Sequence, residues 1–353
     1  GSSITAIKYI EHDYYYGRWN SFLKIDEDTY ALAYAGNGDD GYIQTFTIPA
    51  DGSTITTVDL LRQDYNYGAF NSLIQLGSDT YVLAYLGRDN DGWIKIFTIT
   101  TDGTIAQISE LEHDTDGGSY NSLVKVDSNT VALAYSGSSG NGYIKTFDIL
   151  IDSSITQVNS YRHDATKGNH NSFVQADANT YVLAYGGADD DGFISTFTIN
   201  SSGVITPVKT KMLGNNLEHD TKYYFTLSPS ALSKISGSSD SYILAYGGED
   251  TDNNDTPDGY IKTFTISNDG SAITQTYILE HDIELATNTS LVQMDDDTYA
   301  LAYSGGEGHA SWDGYVKTFS VRGTAYNPPP DTPSGLAAIP GNSRVILTWS
   351  ANG

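Results

Sequence analysis

The sequence contains no cysteine. That excludes a disulfide framework, a thiolate metal centre and a cysteine nucleophile. No apolar run approaches the roughly 18 residues of a membrane span, so direct membrane insertion is not expected. Basic residues are few: Lys and Arg total 18 against 44 Asp and Glu, a formal charge of −26. A surface of that sign disfavours nucleic acid, whose phosphates need a basic face, and anionic lipid. Cations, neutral sugars or basic proteins are the favourable partners. No signal-peptide pattern opens the chain. Its first residues, GSSIT, read like the middle of a repeat (compare DGSTIT from Asp51), so a piece of a longer multidomain protein is expected. Apolar spacing of three and four is also missing, so no substantial helix is expected.

What the chain does hold is repetition. A LAYxG-like motif recurs around Tyr34, Tyr85, Tyr135, Tyr185, Tyr246 and Tyr303. Each copy is followed by an aromatic-led segment such as GYIQTFTI, GWIKIFTI or GYVKTFSV. Each unit reads as four short strands, here A to D: NSLVKV-like, TYVLAY-like, GYIKTFTI-like and ITQVNSYRHD-like. Alternation in strand B puts Tyr30, Leu32 and Tyr34 on one face and Ala31 and Ala33 on the other. Both faces are apolar, as in a sheet held between two neighbours, and the alanine face admits close approach. The 27 tyrosines and 35 glycines suit strands and tight turns.

Six four-stranded units at a period of about 50 residues resemble the blades of a β-propeller. The fold expected is all-β: a six-bladed β-propeller of four-stranded antiparallel blades over residues 1–321. The chain opens on a D strand, Ile4–Asp13, whereas the last repeat stops after its C strand at Val321. The N-terminal strand is therefore expected to close the last blade, removing an open edge. Residues 322–332 read as a proline-rich linker. Residues 333–353 resemble the start of a fibronectin type III domain, through Pro333, Leu336, Val345, Leu347 and Trp349. A propeller joined to such a module is similar to large secreted or surface proteins of microbes, which implies an extracellular or cell-surface location.

The connections divide into two classes. A→B links such as DEDT and DSNT, and C→D turns such as Asp51-Gly52 and Asp102-Gly103, are short and monotonous, and read as structural. The D→A and B→C loops vary in sequence and are rich in aromatic and acidic residues. Variable loops on a rigid scaffold are where recognition concentrates. Asp13, Asp64, Asp114, Asp164, Asp220 and Asp282 end the D strands, five of them after a histidine, and are expected to hold turns. Asn20, Asn71, Asn121 and Asn171 open the innermost strands, as turn residues or as an ion or water site at the channel mouth.

The ligand-binding candidates are Tyr15, Tyr16, Trp19, Tyr65, Tyr67, Phe70, Tyr120, His170 and Tyr224, flat rings suited to sugar faces, to a protein contact or to packing over the core. Asp250, Asp252, Asn254 and Asp258 stand at first, third, fifth and ninth positions of EDTDNNDTPDGY. That spacing resembles the start of an EF-hand or thrombospondin type 3 loop and implies calcium, the one cofactor suggested. It departs from the pattern at Asp255, where glycine is usual, and at Ile261, where glutamate is usual.

No Ser-His-Asp order, HExxH, Walker loop or dinucleotide fingerprint is present. A sialidase-like propeller would need an arginine cluster, and only Arg18 and Arg88 fall in the variable loops. The expectation is a non-enzymatic binding or adhesion domain for a glycan or cell-surface protein. The alternatives are a structural surface-layer module without a dedicated ligand, or a glycoside-cleaving propeller.

Overall fold

The computed structural model describes residues 6–150, 152–213, 231–248, 257–283, 285–306 and 313–321, and the backbone of 334–341 and 344–350. The first blade contains β1 (Arg18–Lys24), β2 (Thr29–Ala35), β3 (Gly41–Thr47) and β4 (Thr56–Asp64). The second contains β5 (Ala69–Gln75), β6 (Thr80–Leu86), β7 (Gly92–Ile99) and β8 (Ile105–Asp114). The third contains β9 (Ser119–Lys125), β10 (Thr130–Ser136), β11 (Gly142–Ile149) and β12 (Ile155–Asp164). The fourth contains β13 (Asn169–Gln175), β14 (Thr180–Gly186), β15 (Gly192–Ile199) and β16 (Ile205–Met212). The fifth contains β17 (Leu232–Lys234), β18 (Ser241–Gly248), β19 (Asp258–Ile266) and β20 (Ile273–Asp282). The sixth contains β21 (Thr287–Gln293), β22 (Thr298–Gly305) and β23 (Asp313–Ser320).

Each sheet is a meander in sequence order, with every pairing antiparallel. The first strand of each blade lies against the first strand of the next, from β1 through β5, β9, β13 and β17 to β21. The result is the expected six-bladed propeller, with these innermost strands around a central channel.

Alternation of large and small side chains on the second strand packs the blades. Ala31 and Ala33 of β2 form one cluster with Tyr81, Leu83 and Tyr85 of β6. The same fit joins Val82 and Ala84 to Val131, Leu133 and Tyr135, and Ala132 and Ala134 to Tyr181, Leu183 and Tyr185. It continues at Val182 and Ala184 with Tyr242, Leu244 and Tyr246, and at Ile243 and Ala245 with Tyr299, Leu301 and Tyr303. Fully buried aromatic side chains contribute the largest apolar areas, so these seams carry most of the stabilisation.

Polar pairs lock the same seams. Asp64 accepts the Tyr85 hydroxyl at 3.0 Å, Asp114 that of Tyr135 at 2.7 Å, and Asp282 that of Tyr303 at 2.5 Å. Burial first, and the adjoining carboxylate next, push the Tyr85 and Tyr135 phenols well above their ordinary range. Lys95 donates to the Gln63 carbonyl at 2.5 Å and lies over the Tyr85 ring.

Two expectations are corrected. First, residues 6–13 form no strand, and the sixth sheet ends at three strands. The closing ladder to β23 is therefore not made by the described part of Ile4–Asp13; Ile4 and Thr5 lie outside the described residues. Ile10 instead packs on Leu32, Tyr34 and Phe46 of the first blade. Apolar side chains that cover the large face of β2 decide where this segment lies. The small face of the sixth blade is left bare, with Val316 62% exposed, and among the described residues no apolar cluster joins the sixth blade to the first.

Second, the B→C connections of the first four blades differ in sequence but share one geometry. Each is a three-residue turn (Asn37–Asp39, Arg88–Asn90, Ser138–Gly140, Ala188–Asp190). Each contains left-handed backbone, at Gly38, Asp89, Ser139 and Asp189. Their sequences vary over one shared backbone turn rather than over loops of differing shape.

Beyond the propeller, β24 (Ser334–Gly341) and β25 (Arg344–Ser350) pair as an antiparallel hairpin. A hairpin alone does not define a fibronectin type III module.

Candidate functional site

The innermost strands begin with a shared distortion. Trp19, Phe70, Tyr120, His170 and Asn288 all have φ between 51° and 54°, the left-handed region that non-glycine residues rarely enter. Each lies in a β-bulge, as where β5 registers Ala69 with Leu86 but Ser72 with Ala84. A bulge places two residues opposite one and re-aims a side chain. Here it turns four rings toward the channel mouth. The backbone strain, about 1–3 kcal/mol per residue, persists only where the surroundings over-determine it.

The four rings form an arc across four blades. Trp19 lies 5.3 Å from Phe70, Phe70 4.6 Å from Tyr120, and Tyr120 4.4 Å from His170, between ring centroids and at tilts of 40–50°. All four are half-buried. Burial raises the Tyr120 phenol above its ordinary value, so it is a neutral donor at physiological pH. The arc borders a cavity of about 540 Å³. Beneath the rings the cavity is lined by amides and hydroxyls, Asn20, Asn71, Asn121, Asn171, Asn288 and Ser290 among them. None of the described residues lining it is a lysine, an arginine or a carboxylate.

Below the arc, side chains tie each blade to the next. Asn121 Nδ2 donates to the Phe70 carbonyl at 3.1 Å and to that of Gly118 at 2.6 Å. Asn71 makes the same pair to Trp19 and Gly68, and Asn171 to Tyr120 and Gly168. The serine that follows accepts a backbone N–H from the next blade: Ser72 from Leu123 at 3.0 Å and Ser122 from Phe173 at 3.0 Å. The Asn-Ser pair of β5, β9 and β13 is thus an inter-blade staple. The left end of the loop is set by the aspartate, whose Oδ1 caps the turn: Asp13 at Tyr15 and Tyr16, Asp64 at Asn66 and Tyr67, Asp164 at Thr166 and Lys167.

Of the expected ligand residues, Trp19, Phe70, Tyr120 and His170 come together at the cavity. Tyr67 rests on Trp19 at 6.2 Å. Tyr15, Tyr16 and Tyr65 stand outside the cavity, with Tyr15 66% and Tyr65 69% exposed. Arg18 covers the Tyr16 ring and Arg62 the Tyr65 ring. Tyr224 lies outside the described residues. So do Asp250, Asp252 and Asn254 of the calcium proposal; Asp258 is described and fully buried. In the smaller acidic turns, Asp40 pairs with Arg62 and Asp190 with Lys167. The left-handed bulge was not foreseen; its trace in the first four blades is a ring-bearing residue placed before the Asn-Ser pair, whereas the sixth blade has Asn288 before Thr289-Ser290.

No family model matches the chain, and no curated protein matches it. Solved structures do. One described as a candidate 6-phosphogluconolactonase of Bacteroides fragilis superposes with a TM-score of 0.59 at 10% identity, covering 85% of this chain and 83% of that one. The periplasmic gluconolactonase of Pseudomonas aeruginosa gives 0.57 at 12% identity, covering 84% and 86%. The fission yeast complex of SREBP and SCAP binding domains gives 0.53 at 10% identity, covering 99% and 88%. Identities this low establish the shared fold alone. They correct the expectation of a non-enzymatic chain, because the neighbours with this architecture include proteins described as lactonases, which are enzymes.

Proposed function

We propose that the protein binds a neutral carbohydrate at the mouth of its central channel. The observation that carries this reading is the arc of Trp19, Phe70, Tyr120 and His170 bordering a cavity whose lining, among the described residues, contains amides and hydroxyls but no lysine, arginine, aspartate or glutamate. The apolar face of a sugar ring stacks on such rings, and its hydroxyls find donors and acceptors in the exposed amides of Asn20 and Asn288. A phosphorylated or acidic sugar would find no cation in this lining and would meet a chain of net charge −26. The partner is then a glycan, presented extracellularly or at a cell surface; no helix of the described residues is long and apolar enough to cross a membrane.

A second reading uses the same site. The neighbours described as lactonases favour hydrolysis of a sugar lactone, whose ring would occupy the same arc. In that reading His170 is the imidazole at the cavity, placed to take a proton from the attacking water as the ring ester opens.

A glycan array probed with the purified protein tests the first reading. Neutral glycans are retained, their phosphorylated and sialylated counterparts are not, and Trp19→Ala removes retention. Retention of acidic glycans alone would contradict it. Consumption of gluconolactone that is lost in His170→Ala would establish the second reading.

A further inference from the structure

A ring of repeats supplies its own comparison. Side chains that depart together from their counterparts in the other blades stand out from those that only hold the fold. The seam between the first and second blades departs at four positions. Gln63 stands where His12, His113, His163 and His281 precede the turn aspartate. Arg88 opens the turn that Asn37, Ser138 and Ala188 open elsewhere. Glu110, registered with Lys95, replaces Leu60, Ser160, Thr210 and Ile278 at the same place in the ladder. Trp93 departs in packing as well as in kind. In the other five blades the second-strand tyrosine stacks on the third-strand ring at 5.4–5.7 Å, as Tyr34 does on Tyr42, whereas Tyr85 and Trp93 make no such stack. All four residues line one cavity of about 200 Å³.

The charges of this cavity balance: Arg88 and Lys95 stand with Asp64 and Glu110. Lys95 Nζ lies 3.1 Å from Glu110 Oε2, which also accepts from Gln107 at 3.0 Å, so the carboxylate is held in place. Arg88 pairs with Asp89 through Nε at 3.4 Å and its side chain is 60% exposed. Trp93 is half-buried, and Tyr65, a sequence-predicted ligand residue outside the channel cavity, is exposed here. A zwitterion needs its two charged partners apart, but Lys95 and Glu110 satisfy each other. An acidic ligand meets no net positive charge. A neutral polyhydroxylated ring finds what it needs: flat faces for its apolar side, a guanidinium fork to donate and an oriented carboxylate to accept.

We propose that this cavity is a second subsite for a neutral sugar unit, and that the glycan held at the channel mouth extends into it. The ligand is then an oligosaccharide. One loop, between β4 and β5, serves both places: Tyr65 and Asn66 line the seam cavity, Phe70 and Asn71 the channel cavity. Trp93 stacks on the second ring, and Arg88 and Glu110 bind its hydroxyls. The inference rests on the carbohydrate reading of the channel and adds ligand length to it.

The probes are neutral monosaccharides and oligosaccharides, up to hexasaccharides, of glucose, galactose, mannose and N-acetylglucosamine, titrated by ligand-observed NMR so that weak binding is read. Wild-type protein binds the oligosaccharides of its preferred sugar more tightly than the monosaccharide. Trp93→Ala lowers the oligosaccharide affinity about fivefold or more as a stacking face is lost, and leaves monosaccharide binding unchanged. Arg88→Ala, at an exposed position that folding tolerates, acts in the same direction, whereas Trp19→Ala weakens both ligands. Equal affinity at every length, or a folded Arg88→Ala protein that binds oligosaccharides as wild type does, overturns the second subsite and leaves the channel reading standing. An effect of Trp93→Ala with none of Trp19→Ala overturns the channel reading, and with it a ligand that spans the two cavities. Binding of no member of the panel overturns both.

Discussion

His12 meets the ring of Tyr34 edge-on at 4.7 Å. His113 stands in the same relation to Tyr135 at 4.8 Å, His163 to Tyr185 at 4.5 Å and His281 to Tyr303 at 5.0 Å. In the last three pairs the histidine ends the outer strand of one blade and the tyrosine lies on the second strand of the next. His12 makes that contact without belonging to a strand. The N-terminal segment therefore supplies the side chains of a sixth outer strand to the first blade while leaving the outer edge of β23 without a strand partner among the described residues.

That asymmetry makes two glycines behave differently. A Cβ on Gly92 would meet the His113 ring at 2.6 Å and the Gly117 carbonyl oxygen at 2.7 Å. Gly314 occupies the same place in the sixth blade, and a Cβ there meets nothing within 4 Å. Gly92→Ala should cost about 3 kcal/mol or more by overpacking. Gly314→Ala should change stability by less than about 0.5 kcal/mol. Urea midpoints measure both; equal losses would show that the sixth seam is as tightly filled as the second.

The seam histidines set the response to acid. Burial, with Lys145 adding to it, pushes His113 down to about 3, and burial pushes His163 to about 3. Burial and Lys317 bring His281 to about 4. Each is neutral when folded and takes up a proton near its ordinary value of 6.5 when unfolded, so the unfolded state binds more protons between those limits. Their contribution is complete above pH 6.5 and falls on acidification, by up to about 1.4 kcal/mol per pH unit for each. Denaturant titrations from pH 7 to pH 4 should show that loss, and replacing His163 with Gln should flatten it. A stability that rises on acidification across this range would contradict the burial.

The staples predict a local effect. Asn121→Ala removes two hydrogen bonds and leaves the Phe70 and Gly118 carbonyls without their donor. The expected cost is about 2–3 kcal/mol. Asn20 makes one such bond, to Gly17, and is exposed, so Asn20→Ala should cost less than about 1 kcal/mol. Chemical denaturation of the two variants in parallel provides the comparison.

The blade was legible because its pattern is local. Ala31 and Ala33 opposite Tyr30, Leu32 and Tyr34 announce a sheet with a small face and a large one, and the structure stacks those faces. The turn role of Asp64 and Asp114 followed from carboxylates placed two or three residues before a free N–H. The bulge at Trp19, Phe70, Tyr120 and His170 was not legible, because a left-handed φ at a bulky residue runs against intrinsic preference and is imposed by the staples of the neighbouring blade. The same holds for the sixth seam. Ile10 and His12 carry the signature of an outer strand, but whether their backbone pairs with β23 depends on a competition between two ends of the chain. The common shape of the B→C turns was not legible either, because dissimilar sequences adopt the same left-handed turn at Gly38, Asp89, Ser139 and Asp189.

Isothermal titration of the intact protein with the neutral glycan it retains best tests the central claim. Wild-type protein should bind with measurable heat, Tyr120→Ala and Trp19→Ala should lose at least about tenfold in affinity as stacking area is removed, and Tyr15→Ala, outside the cavity, should bind as wild type. Loss in Tyr15→Ala with retention in Tyr120→Ala would place recognition elsewhere and contradict the account.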